Sequence, residues 1–199
     1  TGNKMNSREK ILARVQKNQP ASSALPELHL EPSESSQRIQ KFVRSLGNIG
    51  GTSIDAMSWN EIDSHLRERF PQSTRRVSLI PQLRSSHENG DLEKDPRMLE
   101  NVTVSILAGH FAVAENGAVW ITEENMGDRV LPFICEHLVL VVHASKVCES
   151  MQDAYELLGS SNHSFGTFIA GPSKTADIEQ SLVLGAHGPK TLTVFLLHA

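Results

Sequence analysis

The sequence predicts an α/β protein: a three-layer α/β/α domain built on a mostly parallel sheet, with an N-terminal helical extension in front of it. From Val102 onward, nearly continuous apolar runs alternate with amphipathic stretches. Strands buried on both faces of a parallel sheet read in this way. The 199 residues suffice for one domain with a full core and are too few for two large ones. No internal repeat, low-complexity tract or second-domain boundary interrupts them. Residues 1–36 are therefore expected to form a helix and linker, and residues 37–199 the α/β domain.

Each element has its own signal. Ile11, Leu12 and Val15 fall on one side of a helix expected over about 7–17, with Asn6 or Ser7 as its cap. Residues 19–36, rich in Pro, Ser and Glu, read as a linker. Ile39, Phe42, Val43 and Leu46 then occupy i, i+3, i+4 and i+7 of a second helix, and Gly47 supplies its stop. A third helix opens with the capping box Ser58-Trp59-Asn60-Glu61. It lines up Trp59, Ile62, Leu66 and Phe70 and ends at Pro71. A short strand is expected over 76–80, and a polar loop over 84–96 carries Asn89-Gly90-Asp91 as turn chemistry. Further strands are expected at 102–106, 112–114, 118–122, 137–143, 165–170 and 191–197. Helices are expected around 129–134, over 145–158 with Gly159 closing it, and over about 175–184.

Composition narrows the function. A net charge of -4, with no basic run longer than Thr74-Arg75-Arg76, argues against nucleic acid. The longest apolar runs, such as Leu138 to Val142, fall far short of the roughly 20 residues that span a bilayer. No membrane span is expected. The first residues lack the apolar stretch of a signal peptide, which predicts a cytoplasmic protein. Two cysteines, Cys135 and Cys148, are too few for a disulfide framework or for a zinc or iron–sulfur site of the chain's own. Both read as buried apolar fillers. No helical histidine pair with a carboxylate and no Gly-x-Gly-x-x-Gly turn is present, so neither metal nor cofactor is expected on this chain.

Three constellations could carry chemistry. The turn Gly171-Pro172-Ser173-Lys174-Thr175 lies between an expected strand and an expected helix start, where free amides and the helix dipole favour an anion. Ser173 and Thr175 would add hydroxyls and Lys174 a charge; the alternative is that they merely cap the helix. Asp177 and Glu179 in the first turn suit the dipole but would repel phosphate, so a carboxylate or a hydroxyl-bearing ligand fits at least as well. In Gly185-Ala186-His187-Gly188-Pro189, the small neighbours of His187 allow close approach of a ligand or of another backbone. His187 is thus a candidate proton donor or acceptor, or a structural hydrogen-bonding group. In Glu115-Asn116-Gly117, Asn-Gly is first a hairpin turn. Glu115 stands at its strand end as candidate nucleophile, ligand-binding group or turn residue. Arg129, in Gly127-Asp128-Arg129-Val130-Leu131-Pro132, either clamps a carboxylate in two-pronged fashion or pairs with Glu123, Glu124 or Asp128 on the surface.

The C-terminal blocks, together with Arg129, Pro132 and the strand led by His137, resemble the LUD-domain family over roughly 102–197. Glu115-Asn116-Gly117 also looks like the Glu-Asn-Gly of class I coenzyme A transferases. The resemblance implies the broad fold of those transferases and of sugar-phosphate isomerases and deaminases. It also implies a bacterial, non-redox component that works with two iron–sulfur partner proteins in oxidising L-lactate to pyruvate. The clusters would sit on the partners and a small carboxylate such as lactate would be the ligand. Two other classes stay open: an acyl-CoA or CoA-transferase-like enzyme using Glu115, and a regulatory module that binds a small carboxylate without turnover.

Overall fold

The computed structural model describes residues 6–24, 34–70, 75–86, 96–159, 164–176 and 182–198. The chain divides into two compact units, residues 1–31 and 32–199. The first holds α1 (Ser7–Lys17), whose capping box is reciprocal. Glu9 N donates to Asn6 Oδ1 at 2.9 Å, and Asn6 N donates to Glu9 Oε2 at 2.8 Å. No residue of α1 is buried.

The second unit is built around a five-stranded sheet with every neighbouring pair parallel: β1 (Thr52–Ala56), β11 (Thr191–Leu197), β6 (His137–His143), β3 (Val104–Ala108) and β2 (Arg76–Ser78), in that spatial order. Strand alternation sends side chains to two cores. Leu138, Leu140 and Val142 of β6 join Leu192, Val194 and Leu196 of β11 on one face. Val139 and Val141 join Phe195 and Leu197 on the other. Both faces being buried is what makes these strands continuously apolar.

The second of these faces is covered by α3 (Trp59–Arg69) through Ile62 and Leu66, and by Leu83 of the 3-10 turn Pro81–Ser86. The first carries α2 (Ser35–Asn48) through Phe42 and Leu46, with the short helices α4 (Glu123–Met126) and α5 (Leu131–Ile134). It also carries the inner face of a second, four-stranded sheet: β7 (Val147–Cys148), β4 (Phe111–Val113), β5 (Ala118–Thr122) and β8 (Gly166–Ala170). In it β4–β5 and β5–β8 are antiparallel. On its outer side, α6 (Met151–Leu158) contributes Ala154 to a small cluster with Phe111, Val113 and Ala118.

The structure differs from the sequence expectation in several places. The strands expected at 112–114, 118–122 and 165–170 leave the parallel sheet and form most of the second one, because tight turns such as Glu115–Gly117 return the chain beside itself. The helix expected over 145–158 begins only at Met151. Val147–Cys148 is a strand, since it finds a ladder partner in Ala112–Val113. Of the helix expected over 175–184, the described residues instead form two antiparallel strands, β9 (Lys174–Ala176) and β10 (Leu182–Leu184), with Thr175 opposite Val183. β-branched residues favour strands, and Gly185 at φ 75° stops the apolar triplet. In α3 the cap is shifted: Glu61 N donates to Ser58 Oγ, but Glu61 Oε2 accepts from Met57 N at 2.8 Å, one residue before the cap. Helix α2 runs through Gly47 to Asn48, and Gly50, at φ 88°, follows its end. Pro71, Asp177, Glu179 and the turn Asn89-Gly90-Asp91 lie outside the described residues. No helix among the described residues is long and apolar enough to cross a membrane.

Candidate functional site

Two segments that flank the paired strands β9 and β10 are laced together at the end of β8. Ser173 N donates to Pro189 O at 2.9 Å, and Gly185 N donates to Ser173 O at 3.1 Å. Gly171 has φ 75°, and a Cβ there would stand 2.8 Å from Ile49 O, so this turn lies directly on the end of α2. A Cβ at Gly188 would approach Ser173 Cβ to 3.0 Å. Small residues therefore bring Ser173, Lys174 and His187 to one place. The place is a cleft of about 320 Å³, walled on its apolar side by Pro132, Phe133, Phe168 and Ile169. Among its described lining residues the ionisable groups are Lys174 and His187, with no carboxylate.

A second cleft of about 260 Å³ adjoins the first, and Phe133, His187 and Gly188 line both. His187 thus stands in the shared wall. The second cleft contains Glu136 and Lys190, paired at 2.9 Å, and the Lys190 ammonium holds the Glu136 carboxyl below its ordinary 4.5. Cys135 also lines it, but burial pushes its thiol up to about 11. Burial does the same to Cys148, again to about 11. Neither is poised as a thiolate. Among the described residues no group of three or more His, Cys, Asp and Glu side chains could hold a metal ion.

The anion-binding helix start expected at Gly171–Thr175 is corrected: the segment enters β9, so no helix begins at this turn. What remains to attract an anion is side-chain charge. Thr175 belongs to β9, and Asp177 lies outside the described residues.

Glu115, Asn116 and Gly117 line neither cleft. They form the β4–β5 turn, in which Asn116 Oδ1 accepts from Ala118 N at 3.0 Å. Gly117, at φ 72°, touches α2 so closely that a Cβ would lie 2.7 Å from Leu46 Cα. Ser45 Oγ donates to Ala114 O at 2.8 Å from the same helix. The Glu115 carboxylate accepts from Met151 N at 2.8 Å. That amide opens α6, where free N–H groups and the dipole favour negative charge. Arg129 is placed in the surface alternative. Its Nε and Nη2 each donate to Glu123 at 2.9 Å, and the guanidinium lies 4.8 Å over the Phe165 ring. This hydrogen bonding lowers the Glu123 carboxyl and raises Arg129.

Gly171, Ser173, Lys174, His187 and Gly188 are thus brought together, apart from Glu115, Asn116, Gly117 and Arg129. Sequence reasoning missed Phe133 and Phe168, which lie in runs that read as core. Phe133 is 41% exposed, which nothing in its apolar run announces. It also missed a polar cluster after β3, where His110 Nε2 meets Thr122 Oγ1 at 2.8 Å and Asn125 Nδ2 at 3.2 Å.

Residues 90–197 match the family model of the LUD domain, more than half of the chain. The chain belongs to the LUD-domain family. Both clefts and their lining lie within the matched LUD-domain residues. Similar proteins include lactate utilization protein C 1 of Bacillus mycoides strain KBAB4, 28% identical over 106 residues that make up 50% of this chain and 45% of that protein. The lactate utilization protein C of Bacillus pumilus strain SAFR-032 is 31% identical over 111 residues, 53% of this chain and 46% of that one. That of Geobacillus thermodenitrificans strain NG80-2 is 33% identical over 96 residues, 45% and 40%. The matched stretch spans less than half the length of these relatives. A crystal structure of a DUF162 family protein from Deinococcus radiodurans superposes with a TM-score of 0.64 at 14% identity, covering 83% of this chain and 99% of that one. That likeness carries the α/β fold.

Proposed function

We propose that this LUD-domain protein is a non-redox component of a bacterial lactate-utilisation system, acting in the cytoplasm with iron–sulfur partner proteins, and that its C-terminal cleft takes a small carboxylate. The observation that carries the reading is the meeting of Lys174, His187 and Ser173 at one cleft whose described lining has no carboxylate. An anion entering it meets a lysine point charge, an imidazole able to donate, and a hydroxyl. The ligand's carbon body rests on Phe133 and Phe168. The names of the similar proteins support the lactate setting. The sequence has two cysteines, fewer than the four thiolates an iron–sulfur cluster usually takes, which supports clusters carried by the partners.

The test is lactate-dependent dye reduction by the iron–sulfur partners with and without this protein, paired with calorimetric titration of L-lactate and pyruvate into the protein alone. Turnover is expected to require the chain, and Lys174→Ala is expected to weaken carboxylate binding about tenfold, about 1.4 kcal/mol. Its thermal midpoint should hardly move, because Lys174 is exposed. Partners that turn over equally well alone, or a carboxylate affinity indifferent to Lys174, would sink the proposal.

A further inference from the structure

The outer edge of β8 presents main-chain groups to the same cleft. In the β5–β8 ladder, Glu123 N donates to Phe165 O at 3.0 Å, and the register sets Ile121 opposite Thr167 and Val119 opposite Ile169. Hydrogen-bonded and non-hydrogen-bonded pairs alternate along an antiparallel ladder. Thr167 and Ile169 therefore turn their N–H and C=O toward β5, while Phe168 and Ala170 turn theirs away. The pair Trp120–Phe168 fits this assignment: Trp120 O accepts from His110 N on the β4 side, and the two rings lie 4.7 Å apart. Among the described residues β8 ends its sheet, so no strand meets the outward groups of Phe168 and Ala170. The Phe168 carbonyl has a long 3.4 Å contact from the Thr167 hydroxyl.

Phe168 packs with the outer cluster of the second sheet and Ile169 with its inner core, yet both line the larger cleft, as does the exposed Ala170. A cleft that touches residues of both faces runs along the strand's edge. Past the carboxyl end of β8 the lining continues to Lys174.

We propose that the edge of β8 takes an extended C-terminal peptide segment of a partner protein as an added strand, with the terminal carboxylate at Lys174 and His187. Outward groups on alternate residues recur about every 6.6 Å, the spacing of a peptide strand. A three-carbon acid can meet only one such position. Unpaired edges recruit strands in this way, with side-chain pockets adding selectivity, here between Phe133 and Phe168. Charge sets the direction. The carboxylate belongs beside Lys174, after the end of β8, so the incoming strand runs parallel to β8. This inference rests on the cleft being a carboxylate site and names what bears the carboxylate.

The test uses the full chain on an array of random peptides of about six residues, anchored by their N-termini, with free or amidated C-termini. L-lactate is titrated separately. Free-acid peptides are expected to bind, and amidation or Lys174→Ala to weaken them at least tenfold. Ala170→Pro removes an outward N–H and leaves the β5 ladder intact. It should weaken binding by a similar factor at an unchanged thermal midpoint. N-methylation of alternate peptide amides, measured on the unaltered protein, should do the same whether or not that variant folds. Binding indifferent to N-methylation overturns strand addition. Lactate binding with no peptide binding overturns the peptide inference and leaves the carboxylate site standing. Binding of neither overturns both. A dimer in sedimentation that Ala170→Pro dissociates assigns the edge to a second copy of the chain instead, and overturns the partner peptide.

Discussion

The turn at Glu115–Gly117 and the turn at Gly171–Lys174 both press on the carboxyl-terminal end of α2, one against Ser45 and Leu46 and the other against Ile49. Each has a glycine at positive φ where a side chain has no room. They differ in where the polar groups beside the glycine go. In the first, the Glu115 carboxylate closes on the opening amide of α6, and Ser45 fastens the neighbouring carbonyl. In the second, main-chain bonds from Ser173 and Gly185 hold the backbone, leaving Lys174 and His187 among the cleft lining. A turn motif with a charged residue and a glycine is thus uninformative about chemistry until the partner of the charge is known. Here Glu115 meets the opening amide of a helix, and the other loop lines the cleft.

That contrast can be broken in order of effect. Gly117→Ala forces a Cβ to 2.7 Å from the α2 backbone at φ 72° and should cost about 2–4 kcal/mol in chemical denaturation. Gly171→Ala should cost a comparable amount and also weaken carboxylate binding, which Gly117→Ala should not. Equal effects on binding would erase the distinction between the two turns. Ser45→Ala, which removes the 2.8 Å bond to Ala114 O, should cost about 1 kcal/mol. Glu115→Gln should lose about 0.5 kcal/mol from the start of α6, with lactate affinity unchanged. A collapse of turnover in that variant at preserved stability would return Glu115 to the working site.

The smallest effect lies outside both turns. His137 leads β6 and meets Thr191 Oγ1 at 2.8 Å, and burial lowers its pKa from the ordinary 6.5. The unfolded chain then takes up the proton first, so stability should fall as pH drops below 6.5 and stay level above it. His137→Gln should flatten that slope in urea titrations at pH 5 to 7.5. An unchanged slope would assign it to other groups.

Much of this architecture was legible because period and burial coincide. The spacing of Phe42 and Leu46, and of Ile62 and Leu66, marked helices that bury those residues. The apolar runs at 137–143 and 191–197 marked strands that match β6 and β11 residue for residue. What failed depends on partners distant in sequence. Nothing local to Val147–Cys148 announces pairing with Ala112–Val113, and nothing local to Leu182–Leu184 excludes a helix until Lys174–Ala176 lies beside it. The same holds at the cleft. Glycine and charge made Gly171, Lys174 and His187 visible. Phe168 looked like any core residue, because only its place on the last strand of a sheet turns its edge outward.

The position of β11 bears on how the chain reaches this state. It lies between β1 and β6 in the parallel sheet, so Thr52 has to wait for Thr193 before β1 gains its neighbour. Closing so long a loop is slow and comes late in folding. Until then β1 and the inner faces of α2 and α3 lack their central partner. During synthesis, a nascent chain stalled before Thr191 would carry two half-cores and open strand edges, the kind of surface that chaperones hold.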